Sequence, residues 1–293
     1  MVFFLQMILT GIMVGSIYSL LALGFVLVYK SSKVFNFAQG EFLMFGAYFG
    51  WMCLVPFHLP VWMTFVLIVV FTYVLGLIVD RLLMRQMIGQ PVLSAIMMTI
   101  ALSYMLTGFV VGVWGGGTET YPHIFQEVPL KLGPLALPQE YIYLFFMAIL
   151  MVVGLVLFFN YTKTGLSMMA TAENHKVSQS MGINVKKAFA VSWAIAAMTA
   201  GAGGAFLASI NGVNPGFSMF GFKVFPVVIL GGLESIPGAI IGGLIIGLLE
   251  YLSIGFVDPL IEGFSSILPY LVLLGILMIK PYGLFGLVRI ERI

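Results

Sequence analysis

Three carboxylates stand where carboxylates are costly. Glu41, Glu234 and Glu250 fall within or beside long apolar runs of the sequence. An ionised side chain at the centre of a membrane span costs about 2.5–3.5 kcal/mol. A residue kept there lines a path for a polar solute or ion, or it satisfies the backbone nearby. Glu41 closes the cluster Asn36-Phe37-Ala38-Gln39-Gly40-Glu41, and Glu234 sits in Gly231-Gly232-Leu233-Glu234-Ser235-Ile236-Pro237-Gly238-Ala239. Glu250 stands alone. The chemistry open to these groups is binding and gating. Asn36 and Gln39 bring amide donors and acceptors, and the glutamates bring charge. Local roles compete with this. Asn36 and Gln39 suit a helix start, and Glu41 lies where the helix macrodipole favours an anion. Glu234 lies in a glycine-rich turn whose N–H groups need acceptors.

Covalent and metal chemistry find little support. His58, His123 and His175 are far apart and have no metal-ligand neighbour at helical spacing. No Ser/His/Asp set and no His-Glu-x-x-His is present. Ser265 and Ser266, the nucleophiles an intramembrane enzyme would need, have no histidine in their span or a facing one. The single cysteine, Cys53, excludes an internal disulfide and a Cys-based metal site. No glycine run ends in Gly-Lys-Ser/Thr, so the chain has no phosphate loop for ATP.

The elements that must hold these residues are membrane helices. Of 293 residues, 61% are hydrophobic and 8% charged, against about 25% charged in soluble domains. A soluble enzyme, a DNA-binding protein and a disordered scaffold are excluded on that ground, and a net charge of +2 gives no nucleic-acid signal. The N-terminal residues lack the cationic region of a signal peptide, and their apolar run continues to Tyr29, so it reads as a retained first span. A span needs about 20 apolar residues. Eight segments qualify: 5–29, 34–55, 61–79, 92–113, 141–159, 188–210, 237–256 and 264–280. A ninth, 222–233, is too short to cross alone and holds Pro226 and Gly231-Gly232, as half-helices and re-entrant segments do. The expected fold is an all-α polytopic membrane helix bundle of about eight spans plus this segment. It is expected to form one transmembrane domain over residues 1–293.

Charge sets the orientation. With the N-terminus outside, 11 of the 13 basic residues fall inside and only Lys131 and Lys223 outside. An inside C-terminus then requires an odd number of crossings, which 222–233 must supply. The outer loop 114–140 is rich in Gly and Pro and is expected to pack on the bundle. The inner loop 160–187 carries helix formers between Gly165 and Gly182, predicting a short helix stopped by Gly182 at a C′ position. Taken alone, it is an amphipathic connector. The small-residue runs Ala196–Ala205 and Gly238, Gly242, Gly243, Gly247 predict close helix packing.

Five motifs in order resemble one family. They are Gly15-Ser16-Ile17-Tyr18-Ser19-Leu20-Leu21-Ala22-Leu23-Gly24, Asn36-Phe37-Ala38-Gln39-Gly40-Glu41, and Ala172-Glu173-Asn174 with Met181-Gly182-Ile183-Asn184. The fourth joins Val228-Ile229-Leu230-Gly231-Gly232-Leu233 to Ile236-Pro237-Gly238-Ala239, and the fifth is Lys280-Pro281-Tyr282-Gly283-Leu284-Phe285-Gly286. Together they resemble the LivH-type permeases of bacterial ABC importers for branched-chain amino acids. The resemblance implies a multi-pass subunit of the inner membrane. It implies three kinds of partner: a second, LivM-like permease, two ABC ATPase subunits and a secreted or periplasmic substrate-binding protein. It implies no cofactor on this chain, ATP being used by the ATPases. It makes the inner loop the segment that couples to them, through Gly165, Ala172, Glu173, Gly182 and Ile183. The family's usual arginines in the first turn are replaced here by Leu166 and Met169, and Lys163 and Lys176 are the nearest cations. Asn36, Gln39, Glu41, Glu234 and Glu250 are the expected pathway or gate residues. A same-family importer for urea or amides and a gradient-driven carrier or channel remain the alternatives.

Overall fold

Lipid offers no partner to a backbone N–H or C=O, so a chain this apolar must close its hydrogen bonds within helices. The computed structural model, which describes residues 1–121, 129–173 and 175–286, follows that rule. The helices are α1 (Val2–Ser32), α2 (Gln39–Leu54), α3 (Val61–Leu82), α4 (Val92–Trp114), α5 (Gln139–Tyr161), α6 (Lys163–Glu173), α7 (His175–Ser180), α8 (Val185–Asn211), α9 (Phe220–Gly231), α10 (Ile236–Phe256) and α11 (Phe264–Ile279). His123, Glu127, Asn174, Arg289 and Arg292 lie outside the described residues, as do the side chains of His175 and Lys176.

Among the described residues six helices are long and apolar enough to cross a membrane: α1, α3, α4, α5, α8 and α10. The two other expected spans, α2 and α11, are helices of 16 residues. At 1.5 Å per residue each is about 24 Å long, short of the ~30 Å hydrocarbon core. α2 starts at Gln39 instead of 34 because the Asn36 side chain accepts the N–H of Ala38 at 3.0 Å and holds residues 36–39 in a turn ahead of the helix. The short segment is α9, 12 residues with Pro226 inside.

The outer loop departs from expectation. It contains a two-stranded antiparallel hairpin, β1 (Leu130–Leu132) and β2 (Leu135–Leu137), with Leu130 opposite Leu137. Three-residue strands are too short to show a period of two, but the Gly133-Pro134 turn was a readable signal. Gly133 takes φ +63°, open to glycine without strain.

The chain divides into two compact units, with boundaries inside α1, α5 and α9. The first comprises Met1–Val26, Phe125–Ile149 and Lys223–Ile293. In it α1 and α10 meet glycine to glycine. A Cβ added to Gly247 would lie 2.4 Å from the Cα of Gly15, and one on Gly243 would lie 2.4 Å from the backbone nitrogen of Ser19. Gly11 faces Leu248 in the same row, so the two helices run antiparallel. The hairpin is tied to α1 by the Gln6 amide, which donates to the Ala136 carbonyl at 2.8 Å.

The second unit comprises Leu27–Ile124 and Leu150–Phe222. Its centre is α8, whose small-residue run lets α2 and α3 approach on two sides. A Cβ on Gly46 of α2 would lie 2.3 Å from the Gly201 Cα, and one on Gly204 2.0 Å from the Leu43 carbonyl oxygen. On the α3 side, a Cβ on Gly76 would lie 2.5 Å from the Trp193 carbonyl oxygen. The outer loop is pinned to this unit. Glu119 and Val213 exchange both backbone bonds, at 2.8 and 2.9 Å, and the Tyr121 hydroxyl donates to the Ala47 carbonyl. Burial pushes the Tyr121 hydroxyl well above the usual tyrosine range, so it stays a donor.

These contacts predict opposite outcomes for two glycines. Gly46→Val forces backbone against backbone and should lower stability by about 3 kcal/mol or more. Gly108 of α4 has nothing within 4 Å of an added Cβ. Gly108→Ala should therefore be neutral, or stabilising by up to about 1 kcal/mol. Thermal melting of the two variants in one detergent, followed by size-exclusion chromatography, checks both.

Candidate functional site

The expected pathway residues form two separate sets. Asn36, Gln39 and Glu41 are neighbours in the second unit. Asn36 is fully buried. Its Oδ1 accepts from Ala38 and its Nδ2 donates to Gln39 Oε1 at 3.0 Å. Gln39 Nε2 in turn donates to the Ala196 carbonyl at 3.3 Å, joining the start of α2 to the small-residue stretch of α8. Both amides therefore hold the helix start. Glu41 lies one step deeper and is also buried. Ser103 Oγ donates to its Oε1 at 2.7 Å, and its Oε2 has no partner at hydrogen-bonding distance. A buried carboxylate oxygen with an unused lone pair can receive a donor from a passing solute.

α4 supplies residues that the sequence reading missed. Thr99 Oγ1 accepts the Phe37 N–H at 3.4 Å and lies 3.3 Å from the Phe35 carbonyl. Thr99 and Ser103 are four residues apart and so share one face of α4, against the 34–41 segment. Hydroxyl residues at i and i+4 in an otherwise apolar span were the available signal.

Glu234 and Glu250 belong to the first unit, 16 positions apart on opposite ends of the α10 region. Glu250 is buried and fully engaged. Lys223 Nζ donates to its Oε1 at 2.6 Å and Tyr18 Oη to its Oε2 at 2.8 Å. One carboxylate thus ties α1, α9 and α10. Lys223, expected among the outer loop charges, is instead the counter-ion of a buried acid. Its sequence gave no hint of a partner 27 positions away.

Glu234 is half-buried in the turn between α9 and α10. Gly232 there has φ +104°, and Ser235 Oγ caps α10 by accepting the Gly238 N–H at 3.0 Å. The C-terminal motif docks on this turn. Leu284 donates its N–H to the Leu230 carbonyl at 2.8 Å and Phe285 to that of Gly231 at 3.1 Å. Two of the five motifs are therefore halves of one backbone joint.

The inner loop is helical over Lys163–Glu173 and His175–Ser180, where helix formers run between Gly165 and Gly182. α6 starts at Lys163, two residues before Gly165, because Thr162 Oγ1 accepts the Gly165 N–H at 3.0 Å. Gly165 marks the elbow with α5, where an added Cβ would lie 2.4 Å from the Phe158 carbonyl oxygen. Gly165, Met168, Thr171 and Ala172 form the buried stripe of α6. Leu166 and Glu173 are on the exposed side. α7 ends in the bond pair expected of a glycine C′ cap. Ile183 donates to the Ser178 carbonyl at 2.9 Å and Gly182 to that of Gln179 at 3.0 Å, with Gly182 at φ +79°. Val177 and Met181 are exposed beside it, Met181 by 77%.

Ser265 does not stand free as a nucleophile. Its hydroxyl donates to Asp258 Oδ2 at 2.6 Å and its N–H to Oδ1 at 2.8 Å, fixing the start of α11. Among the described residues, no three His, Cys, Asp or Glu side chains converge as metal ligands would.

The fold and its polar joints can be set beside known proteins. A family profile described as "Branched-chain amino acid transport system / permease component" matches residues 7–279, from α1 to the end of α11. The high-affinity branched-chain amino acid transport system permease protein LivH of Escherichia coli (strain K12) is 29% identical over 99% of this chain and 98% of its own length. The permease protein BraD of Pseudomonas aeruginosa is 27% identical over 99% and 98%. A probable branched-chain amino acid transport permease protein LivH of Methanocaldococcus jannaschii is 30% identical over 96% and 92%. No solved structure matches the chain. With the profile running through every helix that carries the polar joints, this multi-pass membrane chain belongs to the family of branched-chain amino acid transport system permease components.

Proposed function

We propose that this chain is the LivH-type permease subunit of an ATP-driven importer in the bacterial inner membrane. Its cargo is leucine, isoleucine and valine, delivered by a secreted or periplasmic binding protein. It pairs with a LivM-like permease, and two ABC ATPase subunits supply the ATP hydrolysis. The observation that carries this reading is the α6–α7 pair. It is a helical aqueous segment capped by Thr162 at its start and Gly182 at its end, and it presents Leu166, Val177 and Met181 outward. A mere connector gains nothing from exposed apolar side chains; a docking helix does. With Leu166 in place of a family arginine, the grip on the ATPase is apolar instead of charge-assisted. Gly165 and Ala172 seat α6 on the permease, while Glu173, Gly182 and Ile183 form the end that meets the ATPase.

The N-terminus lies outside and α6–α7 inside. Removing Lys223 from the outer charges, because Glu250 neutralises it, leaves Lys131 as the one outer cation of the 13 basic residues. α9 supplies the half-crossing that this orientation needs. Asn36, Gln39 and Glu41 lie beside the path, with Glu41 Oε2 as the acceptor for the cargo's ammonium. Glu234 belongs to the joint between α9 and α10, where a gate can pivot. Glu250 is a lock and not a coupling-ion site, since both its oxygens are taken.

Purification from native membranes should bring down an ATPase and a second permease in stoichiometric amounts. Uptake of labelled leucine by reconstituted vesicles should require ATP. Uptake driven by a proton or sodium gradient without ATP would replace this reading with a gradient-driven carrier. Gly182→Pro cannot reach φ +79° and loses the N–H that bonds Gln179. Uptake in that variant should fall about tenfold or more, the equivalent of ~1.4 kcal/mol of coupling, with normal membrane insertion and assembly. Unchanged uptake and ATPase rates would remove the docking assignment.

Lys223→Met strands the buried Glu250 charge and should destabilise the protein by about 3–5 kcal/mol. The double variant Lys223→Met with Glu250→Leu should recover most of that loss. Melting of the single and double variants measures it; no recovery in the double would place Glu250 in a role beyond the lock.

A further inference from the structure

Two cavities in the second unit meet at one pair of residues. The first, of about 600 Å³, runs between α3, α5 and α8 and is open, not enclosed. Its walls are apolar: Phe65 and Val69 on α3, Met151 and Leu155 on α5, Ile195 and Met198 on α8. The second, of about 300 Å³, lies between α6 and the start of α8, with Lys163, Ser167 and Asn184 around it. Thr164 and Lys187 line both. Among the described residues, no acidic side chain lines either one. Hydrocarbon surface fills one end, two lysines stand at the other, and a hydroxyl marks the junction.

Dimensions narrow the occupant. From Lys187 to Met198, α8 rises about 16 Å. That is the depth of one leaflet of a ~30 Å hydrocarbon core. α3 and α5 are only 22% and 28% buried along their apolar windows, so the apolar cavity lies among outward-facing helices. A helix from a partner subunit, about 10 Å across over the same 16 Å, would need about 1,200 Å³, twice the space present. A free anion would use the lysines and leave the apolar cavity unexplained. A single acyl chain with an anionic head uses both.

We propose that these joined cavities bind an anionic phospholipid, one acyl chain lying between α3, α5 and α8 and the phosphate held by Lys163 and Lys187. The lipid fills the space beside the elbow where α5 turns into α6, and so supports the segment that ends at Gly182. Juxtamembrane lysines attract anionic lipid, each adding about fivefold to binding.

The test is native mass spectrometry of the transporter purified with its co-purifying subunits. It is exchanged against vesicles of phosphatidylcholine alone or phosphatidylcholine with one part in four phosphatidylglycerol. One phosphatidylglycerol per chain should survive, phosphatidylcholine should not, and inorganic phosphate should fail to displace it. Lys163→Gln and Lys187→Gln should each lower retention about fivefold. Gly154 lines the apolar cavity and an added Cβ there meets nothing within 4 Å. Gly154→Trp therefore fills the cavity without touching a charge, and should abolish retention while the melting temperature holds. Equal retention of both lipids overturns the proposal. So does displacement by phosphate with no effect of Gly154→Trp, which would mark a plain anion site, or a cross-link from Met151 to a partner subunit that survives in the presence of lipid. If the variants fail to fold, the lipid and phosphate competition on the unmodified protein still decides.

Discussion

Backbone touching backbone is the constraint from which the rest of this structure follows. In lipid, helices gain little from burying apolar side chains against one another, because the surrounding chains are as apolar as leucine. What remains is van der Waals contact, and its yield rises as the helices close. In the second unit α8 closes on α2 and α3 through Gly46, Gly76, Gly201 and Gly204. In the first, α1 and α10 close through Gly11, Gly15, Gly243 and Gly247. Everything polar is then fitted around those contacts. Gln39 reaches the Ala196 carbonyl because α2 lies so near α8, and Ser19 Oγ reaches the Ile240 carbonyl at 2.8 Å for the same reason.

The two buried glutamates show how differently an acid can be accommodated in such packing. Glu250 has a cation and a phenol, one for each oxygen, and so binds three helices together. Such a pair holds geometry more than it adds stability, since desolvation offsets much of its Coulomb energy. Glu41 has one hydroxyl and one idle oxygen. The contrast is between an acid with both oxygens engaged and one held by Ser103 at Oε1, in a chain with only 11 acidic residues.

Much of this was legible in the sequence, and the reasons are specific. Helical segments were visible because the bilayer demands long apolar runs, so all eight predicted segments are helices. Gly182 announced its cap because a C′ glycine is a local interaction among a few consecutive residues. The missed features are non-local or short. Tyr18, Lys223 and Glu250 meet across up to 232 positions, and nothing in the local pattern of Lys223 distinguishes it from a loop cation. The hairpin at 130–137 is too brief to have a period. The start of α2 depends on side-chain bonds and lies five residues beyond the expected 34.

The joint between the α9–α10 turn and residues 284–286 bears on how the protein is made. Its carbonyls, at Leu230 and Gly231, wait for donors that are synthesised more than fifty residues later. α1 waits longer still: Gly15 enters the membrane 232 positions before Gly247, the residue that covers it. At translation rates of about 5–20 residues per second the delay is on the order of tens of seconds. The second unit comprises no residue beyond Phe222, so its own members are all made before α10. During that interval a nearly bare glycine face of α1 stands open to lipid and to the membrane insertion machinery. The glycine contacts between α1 and α10 thus form only after most of the chain has been made.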